Sequence, residues 1–327
     1  MAKQTLTDRL ARLDALGADP SAPDAQQQLR AAVQSKTSHV IARAAEIIGE
    51  AELAAFEPVL AERFRALLDA PAAADKGCNA KTALAKALYR LGHADEEVFL
   101  PGIRLVQLEP VWGGQEDVAA ELRCLCALVL VRMNYPAVMA ELADLLADPQ
   151  WPARLGAVDA IVYRGHDDAV PLLRYKVHVG DDEPQVVQAC LAGLLSLQAD
   201  QQIGFVGSLL DDPRDAVPEA AALALGESRR PEALDLLKNW LERIIEPSLR
   251  EMALLAIAML RSDEAIAFLL SELRTGPASV APSVVTALAI YRDNPAVAEQ
   301  VWRIVRDRQD STLAATCAEA FGERESS

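Results

Sequence analysis

The chain has 327 residues, 51% of them hydrophobic and 24% charged, so it can fill one large domain or two ordinary ones and carries too little charge for wholesale disorder. Its formal charge of −16 and its pI near 4.7 set the average surface against phosphate backbones, which argues against nucleic acid as a partner. No apolar run reaches the roughly 18 residues of a membrane span, the opening MAKQTLTDRLARLDALG lacks a signal-peptide core, and the five cysteines show no framework spacing; a cytoplasmic protein in a reducing compartment is the expectation.

In chain order, residues 1–38 predict two short amphipathic helices, about 6–16 and 24–35, joined by the breaker-rich segment from Gly17 through Pro20 to Pro23. The run Gln26-Gln27-Gln28 gives this segment the polar outer face of an N-terminal cap. From Val40 onward a two-helix unit recurs. Zero positions fall at Val40, Ala80, Ala120, Ala153, Val186, Val217, Leu249, Val280 and Leu313, with spacings of 40, 40, 33, 33, 31, 32, 31 and 33. Column +8 then reads Ile48, Leu88, Leu128, Ile161, Leu194, Leu225, Ile257, Leu288 and Phe321, all large and apolar. Columns +4 and +7 are mostly small, with Ala44, Cys124, Ala157, Cys190, Ala221, Ala253 and Cys317 at the first and alanine or glycine in eight of the nine units at the second. Positions 0, +4, +7 and +8 share one helical face, so each unit opens with an amphipathic helix A.

Helix B follows. Column +14 supplies Asn134, Asp167, Asp200, Asp263 and Asn294, residues that cap free backbone N–H groups. Columns +17 (Val170, Ile203, Leu234, Ile266, Val297) and +24 (Val177, Leu210, Leu241, Leu273, Ile304) lie two turns apart and predict a buried stripe. No stretch alternates with period two over a useful length, so the prediction is all-α. The expected organisation is a cap over 1–38, two longer repeats over 39–117, regular repeats over 118–311 and a cap helix with a polar tail over 312–327, all one continuous stack.

The run Asp212-Pro213-x-x-Ala216-Val217-x-Glu219-Ala220-Ala221-x-x-Ala224-Leu225-Gly226-Glu227 resembles a HEAT repeat, and more narrowly the short bacterial HEAT-like unit of the phycobilisome-lyase type, over roughly residues 40–322. The resemblance implies a right-handed α-solenoid of about eight helical hairpins with a cap at each end and with the B helices lining its concave side. Activity is not implied, because that unit serves in lyases, scaffolds and DNA-repair enzymes alike. The family usually places Arg after the zero position, in a ladder with Asp of the preceding turn. Here that column reads Ile41, Lys81, Glu121, Arg154, Val187, Pro218, Arg250, Ala281 and Ala314, so a broken ladder is expected.

No catalytic constellation emerges. Cys124, Cys190 and Cys317 occupy the small +4 column and read as core residues, Cys126 points away from Cys124, and Cys78 sits near a helix start without a histidine to activate it. His39, His93, His166 and His178 are scattered, and the repeated His-Glu dyads of HEAT-like di-iron hydroxylases are missing. Neither a cofactor nor a metal is expected.

Two stretches are candidate recognition surfaces. The second long exit, Glu109-Pro110-Val111-Trp112-Gly113-Gly114-Gln115-Glu116-Asp117, puts an aromatic beside two glycines, and Trp151 stands in the next exit. The two tryptophans are expected on one edge, where they either cover the ends of helix layers or anchor a ligand or partner. Column +22 (Tyr175, Ser208, Asn239, Ser271, Trp302) over the small column +18 (Pro171, Gly204, Asp235, Ala267, Ala298) is either a plain solvated face or a groove for an extended or helical peptide, with Tyr175 and Trp302 as anchors. The expected function is a non-catalytic protein-interaction scaffold using the B-helix surface. The alternatives are a bilin-lyase-type ligand handler with Trp112 and Trp151 lining its site, and a HEAT-like DNA-binding enzyme of the alkylpurine-glycosylase kind.

Overall fold

The computed structural model of the protein describes residues 5–214 and 216–322. The first four residues of the predicted N-terminal cap, Asp215, and the polar tail beyond Gly322 lie outside the described residues. Two compact units are present, Met1–Gly165 and His166–Ser327.

In the first unit α1 (Leu6–Leu16), α2 (Pro23–Val33), α3 (Ser38–Glu50), α4 (Glu57–Leu68), α5 (Asn79–Leu91) and the single turn α6 (Leu100–Ile103) precede a β-ribbon of β1 (Leu108–Val111) and β2 (Gly114–Asp117). After it come α7 (Ala120–Arg132), α8 (Val138–Leu145) and α9 (Trp151–Arg164). The A helices pack in series, α3 on α5, α5 on α7 and α7 on α9. The second unit holds α10 (Val170–Val179), α11 (Pro184–Ser208), α12 (Ala216–Ser228), α13 (Pro231–Arg243), α14 (Pro247–Met259), α15 (Asp263–Thr275), α16 (Ala281–Leu288), α17 (Pro295–Arg308) and α18 (Ser311–Phe321). There the series runs α11 on α12, α12 on α14, α14 on α16 and α16 on α18. The fold is all-α apart from the ribbon, whose strands pair Leu108 with Asp117, Glu109 with Glu116, Pro110 with Gln115 and Val111 with Gly114. Four residues per strand, one of them a proline, is too short for a period-two signal to stand out.

The A-helix columns are the core. Ile48, Leu88, Ile161, Leu194, Leu225, Ile257 and Leu288 are completely buried, and Phe321, on the last helix, is half-buried. One repeat departs from the expected register. Leu128 is only half-buried, whereas Leu122, Cys126, Val129 and Leu130 are in the core. The zero position of that repeat is therefore Leu122, because the ribbon lengthens the preceding repeat by two residues more than equal spacing allows. Cys126 replaces Cys124 in the buried +4 column, and Arg123 replaces Glu121 after the zero position.

The backbone corroborates this register. Glu52, Gly92, Asn134, Gly165, Arg229 and Arg261 all have φ between 50° and 73°, and with Leu122 as zero all six fall twelve residues into their repeats. Each ends its A helix in the left-handed conformation that turns the chain towards helix B. Asn134 thus closes helix A rather than capping helix B. At the same position in the fifth repeat Gln198 takes φ −145° instead, and α11 runs on through a bend. Of the expected B-helix caps, only Asn294 accepts hydrogen bonds at a helix start, from the N–H groups of Ala296 and Val297. Ser262 rather than Asp263 caps α15. Column +24 is fully buried, whereas in column +17 Ile203, Leu234 and Ile266 are half-buried, because Ala233, Leu237, Ala265 and Leu269 carry the centre of the B stripe.

Two pairs of substitutions test this description. Leu130→Ala is expected to cost about 2–5 kcal/mol and Leu128→Ala clearly less, read from urea unfolding midpoints. Gly165→Ala is expected to destabilise by about 1–2 kcal/mol through its positive φ alone, since no neighbouring atom lies within 4 Å of the added methyl group, and Arg229→Gly is expected to shift the midpoint the opposite way.

Candidate functional site

The exits of the first unit are organised by a buried polar chain. Asp75 is fully buried and accepts from the backbone N–H groups of Ala80 and Lys81, both at 2.9 Å. Lys81, 1% exposed, lies 3.4 Å from Asp75 and donates to Gln107 Oε1 at 2.8 Å. Gln107 donates through its side-chain amide to the Asp75 carbonyl and through its backbone N–H to Asp117 at 3.0 Å. Asp117 then pairs with Arg123 at 2.7 Å, and Arg123, 2% exposed, reaches Asp148 of the next exit at 2.8 Å. Arg154 closes the series by donating to the carbonyls of Asp148 and Pro149. In each of the three exits the acid precedes its cation by six residues: Asp75 and Lys81, Asp117 and Arg123, Asp148 and Arg154. The ladder expected to be broken is thus continuous from Asp75 to Arg154, although Ile41 leaves the first repeat without a cation. The misplaced register had put Glu121 where Arg123 belongs, and the i, i+6 spacing was the sequence signal that marks it.

Burial works to raise the Asp117 carboxyl, but the N–H groups of Gln107 and Ala119 and the Arg123 guanidinium outweigh it and hold the group below the usual carboxylate range.

The ladder also founds the ribbon. Gln107 and Asp117 stand at its base, the Val118 N–H donates to the Gln107 carbonyl, and Glu109 accepts from the Gln107 amide and from the Gly77 N–H, each at 2.8 Å. Trp112 and Gly113 form the two-residue tip, where Gly113 takes φ 94°. Trp112 is wholly exposed and Gly113, Gly114 and Gln115 are exposed beside it, so this ring covers no helix layer. Trp151 is placed differently, as the first residue of α9 and 38% exposed.

In the second unit Tyr175, Ser208, Asn239 and Ser271 are exposed and Trp302 is half-buried. Beside this column a cation of one B helix covers a ring of the next: the Arg174 guanidinium lies 3.8 Å from the Phe205 ring centroid, and the Lys238 ammonium 5.2 Å from that of Phe268. These pairs join position +21 of one repeat to +19 of its successor. Between them Gly207 and Leu236 meet at the same step, a methyl on Gly207 falling 2.9 Å from Leu236. Sequence reading missed this pairing because it joins different repeats.

Cys78 is buried with Cys126, Cys190 and Cys317, and Cys124 is half-buried. Burial raises every thiol, Cys78 and Cys124 to about 11 and Cys190 to about 12. His93 bonds Glu57 through Nδ1 at 2.8 Å. Among the described residues no group of three or more His, Cys, Asp or Glu side chains is arranged to hold a metal ion, and no helix is long and apolar enough to cross a membrane.

Residues 203–282 match the family model for HEAT repeats. Those residues form a HEAT-repeat segment. No curated protein matches it. Similar solved structures include the complex of CpcE and CpcF of phycocyanin lyase from Nostoc sp., 16% identical over 86% of this chain and 92% of that one with a TM-score of 0.35. An engineered protein is 15% identical over 99% and 97% at a TM-score of 0.34. Human deoxyhypusine hydroxylase in complex with glycerol is 16% identical over 98% of both chains at 0.30. The matched HEAT segment contains α12, α13, α14 and α15, and hence Asn239, Ser271 and the Lys238–Phe268 pair.

Arg123→Ala is expected to cost about 3 kcal/mol, because it leaves two largely buried carboxylates with backbone N–H donors but no guanidinium. The depressed Asp117 contributes stability that is complete above its unfolded value of ~3.9 and lost as pH falls through its lower folded value. Asp117→Asn is expected to flatten that part of the acid limb in urea unfolding measured from pH 6 down to pH 2.

Proposed function

We propose that the chain is a non-catalytic scaffold that binds another protein on the solvent face of the B helices in its second unit. The observation that carries this is the +22 column, in which Tyr175, Ser208, Asn239 and Ser271 stand in solvent at the same step of four successive repeats. Pro171, Gly204 and Ala267 at +18 are exposed and short, so the strip one turn below those side chains is shallow. The Arg174–Phe205 and Lys238–Phe268 pairs brace it from one side. A surface that repeats at the spacing of the repeats matches an elongated occupant, a helix or extended peptide segment, better than a compact small molecule. Tyr175, 65% exposed, and Trp302 are the aromatic anchors at its two ends.

Catalysis has no comparable support. The thiols are raised and buried, and the polar chain of the first unit is consumed in holding three turns together.

The test is quantitative affinity capture from source cells with the wild-type chain and the double variant Ser208→Arg/Ser271→Arg. Both positions are exposed, so melting should move by less than about 1 kcal/mol equivalent. Proteins enriched by the wild type are expected to fall at least about tenfold with the variant. An unchanged enriched set would refute this use of the B-helix face.

A further inference from the structure

The ribbon of the first unit is an interaction element in its own right. Its two faces are defined by the pairing, with Glu109, Val111, Gly114 and Glu116 on one and Leu108, Pro110, Gln115 and Asp117 on the other. Apolar side chains stand exposed on both: Val111 on the first, Leu108 on the second, with Val106 just before the ribbon and Trp112 at its tip. A ribbon packed on its own body would bury one face; this one buries neither. A two-stranded hairpin is marginal by itself in water. Here its base is bolted into the core through Gln107, Asp117 and Arg123, so Trp112 is held out on a rigid support and the ordering cost of using it is already met by the fold.

The charge around the tip selects the occupant. Every ionisable residue between Leu105 and Arg123 is acidic: Glu109, Glu116, Asp117 and Glu121. Asp117 and Glu109 are committed to the base, which leaves Glu116 exposed on the ribbon. Beside the base, a cleft of about 320 Å³ between α3 and α5 opens past Gly77 and Val118; its charges are mixed, with Glu46, Glu50 and Glu121 beside Lys86 and Arg90, so the uncompensated acid next to the tip is Glu116 of the ribbon itself. An apolar tip on an acidic stem, in a chain of net charge −16, is repelled by a second copy and by an anionic lipid surface alike. Its complement is an apolar pocket rimmed by Lys and Arg.

We propose that the 108–117 ribbon inserts Trp112 into an apolar, basic-rimmed pocket on a partner protein. An indole supplies about 150–250 Å² of buried surface, the scale of a single dominant anchor. The adjoining polar cleft supplies rim area towards the roughly 800 Å² per side of a stable interface. This inference concerns a different unit from the B-helix face and stands or falls separately.

The test places a photoreactive p-benzoylphenylalanine at Gln115 of the full chain, with Trp112 or with Trp112→Ala, and irradiates source cells. The protein captured is identified, its attachment site mapped, and its Kd measured with unmodified, Trp112→Ala and Glu116→Lys chains. The expected result is attachment at an apolar surface bordered by Lys or Arg, with a Kd weakened at least about tenfold by Trp112→Ala, weakened also by Glu116→Lys, and with unchanged melting of both variants. Attachment to a second copy of the chain would overturn the proposal. So would capture that is indifferent to Trp112, or Trp112-dependent sedimentation of the chain with phosphatidylcholine–phosphatidylserine vesicles in place of protein capture.

Discussion

A helix with small residues at +4 and +7 and a large apolar residue at +8 cannot bury that face against its own B helix alone. It needs the next copy of itself, and every other feature of the molecule follows from that dependence. Within each unit the A helices pack in series, and the +8 residues are dry from Ile48 to Leu88 to Ile161 and from Leu194 to Leu288. The small residues set how closely the helices approach, and in six repeats the left-handed residue twelve positions in sets where the hairpin turns. Where Gln198 declines that conformation, the helix bends instead of ending.

The ionic chain of the first unit answers a second requirement of the same packing. The turns that connect successive repeats are drawn inside by the stacking, and their backbone groups need partners. Asp75, Asp117 and Asp148 accept from N–H groups of their own turns, while Lys81, Arg123 and Arg154 neutralise the acids or bind the carbonyls. Arg123 touches two exits, as Lys81 does through Asp75 and Gln107, which ties neighbouring repeats by polar bonds as well as by apolar burial. Other turns use the same logic with fewer charges: Arg250 donates to the carbonyls of Leu241 and Ile244, and Arg308 to those of Leu273 and Gly276.

The candidate surfaces are what this framework leaves over. Stacking consumes the A faces and most of the +16, +20 and +24 side chains of the B helices, which leaves the +22 column exposed at Tyr175, Ser208, Asn239 and Ser271 and half-buried at Trp302. The ribbon is an insertion into one exit, rigid because its base belongs to the ionic chain and available because its tip belongs to nothing in its own unit. Interaction surfaces of both kinds, a repeated strip and a single projecting anchor, are each built on the stacked helices of their own unit.

The amino-acid sequence by itself determined the helical class, the repeat and most of its columns, because burial against a copied neighbour imposes the same residue sizes at the same steps. It also marked Trp112 as out of place in a connector. Tertiary structure decided what depended on insertion length and on contacts between repeats. The third repeat slipped by two residues in the sequence reading because both Leu128 and Leu130 satisfy an apolar column, and only burial distinguishes them. That slip hid Arg123, and with it the ladder. The exposure of Trp112 was likewise undecidable from composition, since a tryptophan beside glycines suits a packed turn as well as a ribbon tip. What separates the two is whether the exit folds onto the helices or is held off them, and that is fixed by buried bonds of Gln107 and Asp117 to residues as far as 32 positions away.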